Sequence, residues 1–190
     1  MGMAGASLAI SEDIPLVANY HTPTDEYVDY MTTKDRVAQR LRAMNNWWER
    51  KFLDHADIVI TPSMETKYDL ITKGVNPRDI RVLRNGIDVD FFRPVDSSDF
   101  EDEYGISSDR PTVGYCGRHG YEKRLGDLVE TAKHLDADTD IVIVGDGPAR
   151  DDLIEYASEL GAENVVFPGF LERERLPEFY SALDVFAFPS

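Results

Sequence analysis

The sequence has a single cysteine, no long apolar run and few basic residues for its size. Cys116 alone cannot form an internal disulfide, and it cannot build a cysteine-rich metal site. We expect it to be a small apolar residue buried in a strand. No apolar stretch approaches the roughly 20 residues that cross a bilayer, so a membrane span is excluded. The opening residues MGMAGASLAISED lack a basic start and make a poor signal peptide.

The chain contains enough apolar residues to bury a core, since 42% of its 190 residues are hydrophobic and 11% are aromatic. A disordered or collagen-like chain is therefore excluded. Acidic residues outnumber basic residues by 36 to 20, which gives a net charge of −16. Such a chain repels nucleic acid, so we expect no nucleic-acid binding outside a local patch. The acids are scattered, which favours adaptation to high salt over a dedicated acidic partner surface.

Short apolar runs alternate with helical patterns along the chain, and this alternation predicts two series of parallel strands. The first series consists of an apolar run at 14–20, strands at 57–61 and 80–83, and helices over 34–54 and 64–73. The second series has helices between four strands, at 112–116, 141–144, 165–167 and 185–188. The predicted class is α/β with doubly wound parallel sheets.

The change in composition after Pro94 predicts two domains. Residues 1–94 form part of one doubly wound domain, and residues 111–190 form part of a second. The acidic and serine-rich residues 95–110 are the predicted linker. The first series lacks leading strands and the second ends on a strand, so we expect the chain to be the middle of a larger protein.

Ligands of doubly wound sheets bind beyond the carboxyl ends of the strands, so the loops there form the candidate site. The loop after the strand at 112–116 contains Gly117, Arg118 and Lys123. Glycine lets the backbone approach a ligand, the Arg118 guanidinium suits phosphate oxygens, and Lys123 adds a point charge. A helix that follows would turn its free N–H groups towards the loop. We predict a diphosphate-binding site here rather than a solvated polar turn.

Two further positions have weaker signals. Asp146, in the loop at 145–148, can accept a hydrogen bond from a ribose or a base, but capping the next helix is the favoured interpretation. His21 follows the apolar run at 14–20. It can bond a sugar hydroxyl, share a proton or serve as a structural hydrogen bonder, and the residues alone leave these roles open.

Aspartate pairs separated by one residue carry no signal for a metal. Three such pairs occur, whereas chance predicts about 2.5 for a chain with 22 aspartates. We therefore predict no metal site.

The segment from Thr33 to Leu53 runs against the overall charge, with six bases, two acids, Trp47 and Trp48. A basic helix with tryptophans can rest on an anionic membrane or bind an anionic acceptor. We favour the simpler interpretation, in which Arg36 and Arg40 are left for a partner while the apolar positions of the helix face the core. Those core-facing positions are Val37, Leu41, Met44 and Trp48.

Six strings occur in an order that is similar to one protein family. They are ADIVITPS at 56–63, RNGID at 84–88 with FRP at 92–94, GR at 117–118 with EK at 122–123, IVGDGPAR at 143–150, NVVFPG at 164–169 and LDVFAFPS at 183–190. Each string is weak alone, but together they span nearly the whole chain. The chain resembles the family 4 glycosyltransferases, which have the GT-B fold of two Rossmann-like domains. ANYHT at 18–22 is similar to the acceptor-side domain of that family.

This resemblance implies retaining transfer of a sugar from a UDP-sugar or GDP-sugar to a lipid or glycan acceptor, without a metal or other cofactor. Arg118 and Lys123 match positions that hold the donor diphosphate, and Phe170 and Leu171 match a loop that receives the base through its backbone. His21 matches a histidine near the donor sugar and is the implied catalytic residue. The implied nucleotide-sugar site comprises Gly117, Arg118, Lys123, Gly145, Asp146, Gly147, Phe170 and Leu171.

The sequence departs from the family pattern at its ends. The glycine-rich loop of the acceptor domain and the glutamate pair after the final Pro-Ser are missing, and the usual glycine after Glu-Lys is Arg124. Since those glutamates bind the ribose and the sugar, activity of this chain alone is not predicted. The alternatives are another GT-B enzyme, such as a nucleotide-sugar epimerase or a sugar-phosphate synthase, and a non-catalytic nucleotide-binding or assembly subunit. We expect a cytoplasmic protein, with peripheral membrane contact through Lys34 to Lys51 as the second interpretation of the basic segment.

Overall fold

The computed structural model describes residues 2–21, 35–76, 79–135 and 138–189. The chain divides into two compact units, Met1–Gly86 and Ile87–Ser190. Each unit contains a sheet whose strands are all parallel, with helices in the connections between strands. The predicted α/β class is therefore confirmed.

The first unit has a three-stranded sheet whose strands lie side by side in the order of the chain. Its elements in chain order are α1 (Gly2–Ser11), β1 (Val17–Asn19), α2 (Asp35–Leu53), β2 (Ile58–Thr61), α3 (Met64–Thr72) and β3 (Ile80–Val82). Helix α3 begins after Ser63, whose hydroxyl accepts a hydrogen bond from the N–H of Thr66 at 3.1 Å. Val59, in β2, and Leu70, on α3, lie in one core cluster of this unit.

Helix α2 does not bury the apolar positions that were predicted to face the core. Leu41 is half-buried, and the exposed fractions of the other three are 43% for Val37, 54% for Met44 and 48% for Trp48. Ala38 and Leu53 are buried instead. The helical period predicts that one face is apolar, but it does not tell whether another element covers that face. Among the helices described, none combines the length and apolar composition needed to cross a bilayer.

The second unit has a four-stranded sheet in which the third, second, first and fourth strands of the unit lie side by side in that order. Its helices and strands are α4 (Ser98–Tyr104), β4 (Thr112–Cys116), α5 (Leu125–Thr131), β5 (Asp140–Val144), α6 (Arg150–Glu159), β6 (Val165–Gly169), α7 (Leu176–Ser181) and β7 (Val185–Phe186), with 3-10 turns at Tyr121–Lys123 and Arg173–Arg175. Every residue of β5 is buried. Ile141 and Ile143 pack into one core cluster, whereas Val142 and Val144 pack into another. Both faces of β5 are therefore covered, as its continuous apolar sequence predicted.

Residues 95–110 belong to the second unit rather than to a linker. Helix α4 lies within them, and Phe100 on that helix is fully buried. The Phe100 and Phe179 rings pack with their centroids 5.9 Å apart. The linker prediction was wrong because composition averages over many acids and serines, whereas one buried aromatic side chain is enough to attach the segment to a core.

Candidate functional site

The carboxyl ends of β4, β5 and β6 lie side by side at one edge of the second sheet. The loops that follow them are residues 117–124, 145–149 and 170–175. Strand β7 pairs with the opposite side of β4, so the direction of strand addition reverses at β4. In doubly wound sheets, ligands bind beyond the carboxyl ends of the strands at such a reversal.

Gly145 brings the three strand ends together. Its N–H donates to the carbonyl oxygen of Gly169 at 2.8 Å, and the N–H of Gly117 donates to the carbonyl oxygen of Val144 at 3.1 Å. Gly145 has a φ of 127°, and a Cβ at this position would overlap the carbonyl oxygen of Gly117. No residue with a side chain fits there, so the close approach of these loops depends on glycine.

A cavity of about 380 Å³ opens between the three loops. This volume lies within the range of small-molecule sites. The cavity is lined by Cys116, Gly117, Arg118, Val144, Gly145, Asp146, Phe170, Leu171, Arg173 and Leu176. Six of the eight residues predicted for the nucleotide-sugar site are therefore brought together here.

The other two residues, Lys123 and Gly147, belong to the same loops but are not among the residues that line the cavity. The Nζ atom of Lys123 lies over the ring of Phe188, 5.4 Å from its centroid, in a cation–π contact. Gly147 packs against the backbone of His119, where a Cβ on Gly147 would lie 2.6 Å from the carbonyl oxygen. Gly147 thus sets the distance between two loops, whereas the Lys123 ammonium contacts an aromatic ring outside the lining.

Arg118 supplies positive charge to the lining of the cavity. Its side chain is 63% exposed, and Nη1 donates to Oε1 of Glu122 at 3.1 Å. An exposed ion pair of this kind contributes about 0–1 kcal/mol. Arg118 can therefore exchange Glu122 for an anion in the cavity at small cost to stability.

Arg173 also lines the cavity, although it was not among the predicted site residues. Its guanidinium carbon lies 4.6 Å from the ring centroid of Phe91 and 5.8 Å from that of Phe92. Phe170 is 71% exposed. Proximity to the end of β6 was the signal available for Arg173, but the aromatic contact spans about eighty residues and has no sequence signature.

Cys116 ends β4 at the cavity. It is half-buried, rather than buried as predicted, because it lies at the open end of the strand. Burial raises the pKa of the thiol, and a hydrogen bond with Tyr180 opposes this shift. The thiol is therefore protonated at neutral pH and contributes an apolar surface rather than a nucleophile.

Asp146 does not cap the next helix, which was the favoured interpretation of its side chain. Its Oδ1 accepts from the N–H of Gly147 at 2.7 Å, and α6 begins after Ala149 without a side-chain cap. We also expected a helix to begin directly after the loop at 117–124 and to direct its free N–H groups towards that loop. Instead, a 3-10 turn precedes α5, which begins at Leu125. The positive charge in the lining therefore comes from arginine side chains.

His21 belongs to the first unit, where it is exposed two residues beyond β1. The cavity is formed by the second unit, and the catalytic role of His21 stays a prediction. Within the described ranges, no group of three or more His, Cys, Asp or Glu side chains could hold a metal ion. Lys34, at the start of the basic segment, lies outside the described residues.

Two protein-family models match this chain over most of its length. The family model described as Glycosyl transferases group 1 matches residues 96–190, and the model described as Glycosyltransferase Family 4 matches residues 1–91. The chain is 30% identical over 197 residues to the D-inositol 3-phosphate glycosyltransferase of Mycobacteroides abscessus, covering 100% of the chain and 43% of that relative. It is 28% identical over 195 residues to the alpha-monoglucosyldiacylglycerol synthase of Streptococcus pneumoniae, and the match covers 98% of the chain and 43% of that relative. The chain therefore spans less than half the length of these relatives.

Among solved structures, HepE from Anabaena in complex with UDP-glucose has a TM-score of 0.76 to this chain. The two are 21% identical, and the match covers 98% of this chain and 50% of HepE. The structural neighbours are GT-B glycosyltransferases, which confirms the predicted GT-B type of fold. Because one family model matches half of the chain and a second matches most of the remainder, the chain belongs to the glycosyl transferases group 1 family.

Proposed function

We propose that this protein transfers a sugar from a UDP-sugar or GDP-sugar to a hydroxyl group of a lipid or glycan acceptor, with retention at the anomeric carbon. The observation that carries the proposal is the cavity at the ends of β4, β5 and β6, with Arg118 in its lining. The solved neighbour HepE binds UDP-glucose, which supports a nucleotide-sugar donor. The relatives named above are an inositol 3-phosphate glycosyltransferase and a glucosyldiacylglycerol synthase, which support a glycolipid or related acceptor.

In this proposal, Arg118 turns from Glu122 to the donor diphosphate. The bond from the anomeric carbon to the diphosphate oxygen breaks, the acceptor oxygen bonds to that carbon, and the acceptor hydroxyl passes its proton to the departing diphosphate. Negative charge grows on the departing diphosphate, and a guanidinium placed in advance stabilises that charge. Lys123 adds a second cation once it leaves Phe188. These side chains supply positive charge to the leaving group, so the proposed mechanism is metal-independent.

We assign the base of the donor to the part of the cavity lined by Phe170 and Leu171. Val144 and Leu176 give this part an apolar wall, and the exposed Phe170 ring offers a face for stacking. Gly117, Gly145 and Asp146 line the side nearer the diphosphate. On the family resemblance, His21 remains our proposed catalytic residue at the donor sugar.

Calorimetric titration of the chain with UDP-glucose and with a GDP-sugar tests the diphosphate assignment. We expect Arg118→Ala to weaken donor binding by about 1.5 kcal/mol or more, which is roughly tenfold, because a charge-assisted hydrogen bond is lost. Arg124→Ala is the matched control, since Arg124 lies in the same loop, is similarly exposed and pairs with Asp127. Equal affinity for Arg118→Ala and the unsubstituted chain would contradict the assignment.

Measuring donor hydrolysis and sugar transfer on the same proteins separates a transferase from a non-catalytic nucleotide-binding subunit. A transferase forms glycosylated acceptor that mass spectrometry detects, and Arg118→Ala reduces its rate. Binding without either reaction in the presence of candidate lipid and glycan acceptors would favour the subunit. Formation of an epimerised nucleotide sugar or of a sugar phosphate would favour the other GT-B enzymes.

We also propose that α2 contacts an anionic membrane at its cytoplasmic face. Met44, Trp47 and Trp48 are exposed on a helix that also presents Arg36 and Arg40. Exposed tryptophans beside bases suit the headgroup region of anionic lipids. Sedimentation with phosphatidylglycerol vesicles should recover the chain, and the Trp47→Ala/Trp48→Ala double variant should bind less. Tyr68→Ala removes an exposed aromatic from α3 as a control, and an equal loss with this variant would contradict the assignment.

A further inference from the structure

His119 is buried in the loop that follows β4. Its exposed fraction is 0%, and within the described residues neither Nδ1 nor Nε2 has a hydrogen-bond partner. Buried polar side chains are normally paired, because an unpaired group loses its interactions with water without replacement. A fully buried imidazole with two unpaired nitrogens therefore requires an explanation.

The backbone of His119 attaches its own loop to the loop after β5. Its N–H donates to the carbonyl oxygen of Asp146 at 2.8 Å, and its carbonyl oxygen accepts from the N–H of Ala149 at 2.9 Å. On the same side, Nε2 lies 3.2 Å from the position that a Cβ of Gly145 would occupy. The imidazole thus fills the space next to Gly145, and it cannot move far without moving both loops.

The surroundings of the imidazole favour its neutral form. Burial lowers the pKa of His119, and the charge of Arg150 on α6 lowers it further. A polar contact with the backbone of Val144, which falls short of full hydrogen-bond geometry, and the charge of Asp146 oppose the shift. The Tyr115 ring from β4 lies 6.5 Å away between centroids, and burial raises the pKa of its hydroxyl, so it contributes no charge. A proton on His119 would therefore introduce a buried cation without a hydrogen-bonded counter-charge.

We propose that His119 is a positioning residue that holds the loops after β4 and β5 in their donor-binding arrangement while its imidazole is neutral. The inference rests on the proposed function, because these two loops supply Gly117, Arg118 and Asp146 to the donor cavity. A protonated imidazole moves towards solvent, and its backbone hydrogen bonds transmit this movement to both loops. Donor binding and protonation of His119 therefore oppose one another.

The direction of the pH dependence follows from the lowered pKa. The ordinary pKa of a histidine is about 6.5. As the pH falls, the unfolded chain therefore takes up this proton before the folded chain does. Stability associated with neutral His119 is complete above that pH and is lost as the pH falls below it. Because linkage is reciprocal, donor affinity falls in the same direction, and bound donor lowers the pKa of His119 further.

Calorimetric titration with UDP-glucose between pH 8 and pH 5 tests the inference. UDP-glucose is the suitable probe because its diphosphate diester keeps a constant charge in this range, unlike the terminal phosphate of UDP. We expect the affinity of the unsubstituted chain to fall by about tenfold or more on acidification, within the usual range of coupling between sites. His119→Leu and His119→Gln should keep most of their affinity at pH 5. His134→Leu, which removes an exposed histidine of the same unit, should retain the full pH dependence.

Proton NMR titration of the histidine ring signals gives a readout that does not require a folded variant. We expect UDP-glucose to lower the pKa of His119 in the unsubstituted chain. A raised pKa, or tighter binding in acid, would mean that the imidazolium pairs with the diphosphate and would overturn the inference. Matching pH profiles for the unsubstituted chain and His119→Leu would also overturn it. Absence of binding of both UDP-glucose and a GDP-sugar at pH 8 would overturn the proposed function as well, and a GDP-sugar replaces UDP-glucose as the probe if it alone binds.

Discussion

The two units share a parallel α/β plan but differ in charge and in their cores. Residues 1–86 contain 12 acids and 11 bases, whereas residues 87–190 contain 24 acids and 9 bases. Among the residues that the structure describes, the first unit has one core cluster, and the second has a cluster on each face of its sheet. The unit with nearly all the net negative charge is therefore also the unit with the cavity proposed for an anion. Anion binding there must depend on local cations such as Arg118, because the overall field opposes it.

Core truncations in the two units are expected to give the largest effects and to separate their roles. Phe179→Ala should destabilise the second unit by about 3–5 kcal/mol, because Phe179 is fully buried. It should also reduce UDP-glucose binding, because Phe179 packs in the same core cluster as Val144, which lines the cavity. Leu70→Ala should destabilise the first unit by about 2–5 kcal/mol, yet leave donor affinity unchanged. Calorimetric unfolding and donor titration measure both effects. Equal loss of UDP-glucose binding in the two variants would contradict the assignment of the donor site to the second unit.

A pair of glycine substitutions tests the close contact between loops in the second unit. Gly145→Ala places a Cβ against the carbonyl oxygen of Gly117 at a positive φ, so we expect a loss of about 1–3 kcal/mol of stability and weaker donor binding. Gly126→Ala is the control, because a Cβ there meets nothing within 4 Å and lies in α5. It should increase stability by up to about 1 kcal/mol. Normal donor binding by Gly145→Ala would contradict the proposed loop geometry.

Salt is expected to have the smallest effect and to act on the two units unequally. Raising the KCl concentration from 0.1 M to 1 M shortens the Debye length from about 10 Å to about 3 Å, which screens repulsion among exposed acids. Calorimetry should show the unfolding temperature of the second unit rising by several degrees, with little change for the nearly neutral first unit. An uncharged osmolyte controls for general solvent effects. An equal rise in both units would count against adaptation of the second unit to high salt.

Much of the fold was predictable because the strands and helices are local patterns. Both ends of strand β4 were predicted correctly, and the predicted start of β5 was one residue later than the observed start. Helix α4 was missed because its buried Phe100 is surrounded by acids and serines. The exposed face of α2 was predicted to be buried, since periodicity specifies a face but not the element that covers it.

The candidate site was partly predictable for the same reason. Arg118 and Gly145 follow apolar strands directly, and parallel pairing brings such loops to one edge of a sheet. Arg173 also follows β6 closely, but its contacts with the distant Phe91 and Phe92 have no sequence signature. The unpaired state of His119 was equally inaccessible, since it results from the packing of two loops around Gly145.

Hydrogen–deuterium exchange of the chain with and without saturating UDP-glucose tests the central claim most directly. We expect the donor to slow exchange most strongly in residues 117–124, 145–149 and 170–175 of the second unit, because their backbone surrounds the cavity. Unchanged exchange in all three loops, or protection confined to other segments, would contradict donor binding at the ends of β4, β5 and β6.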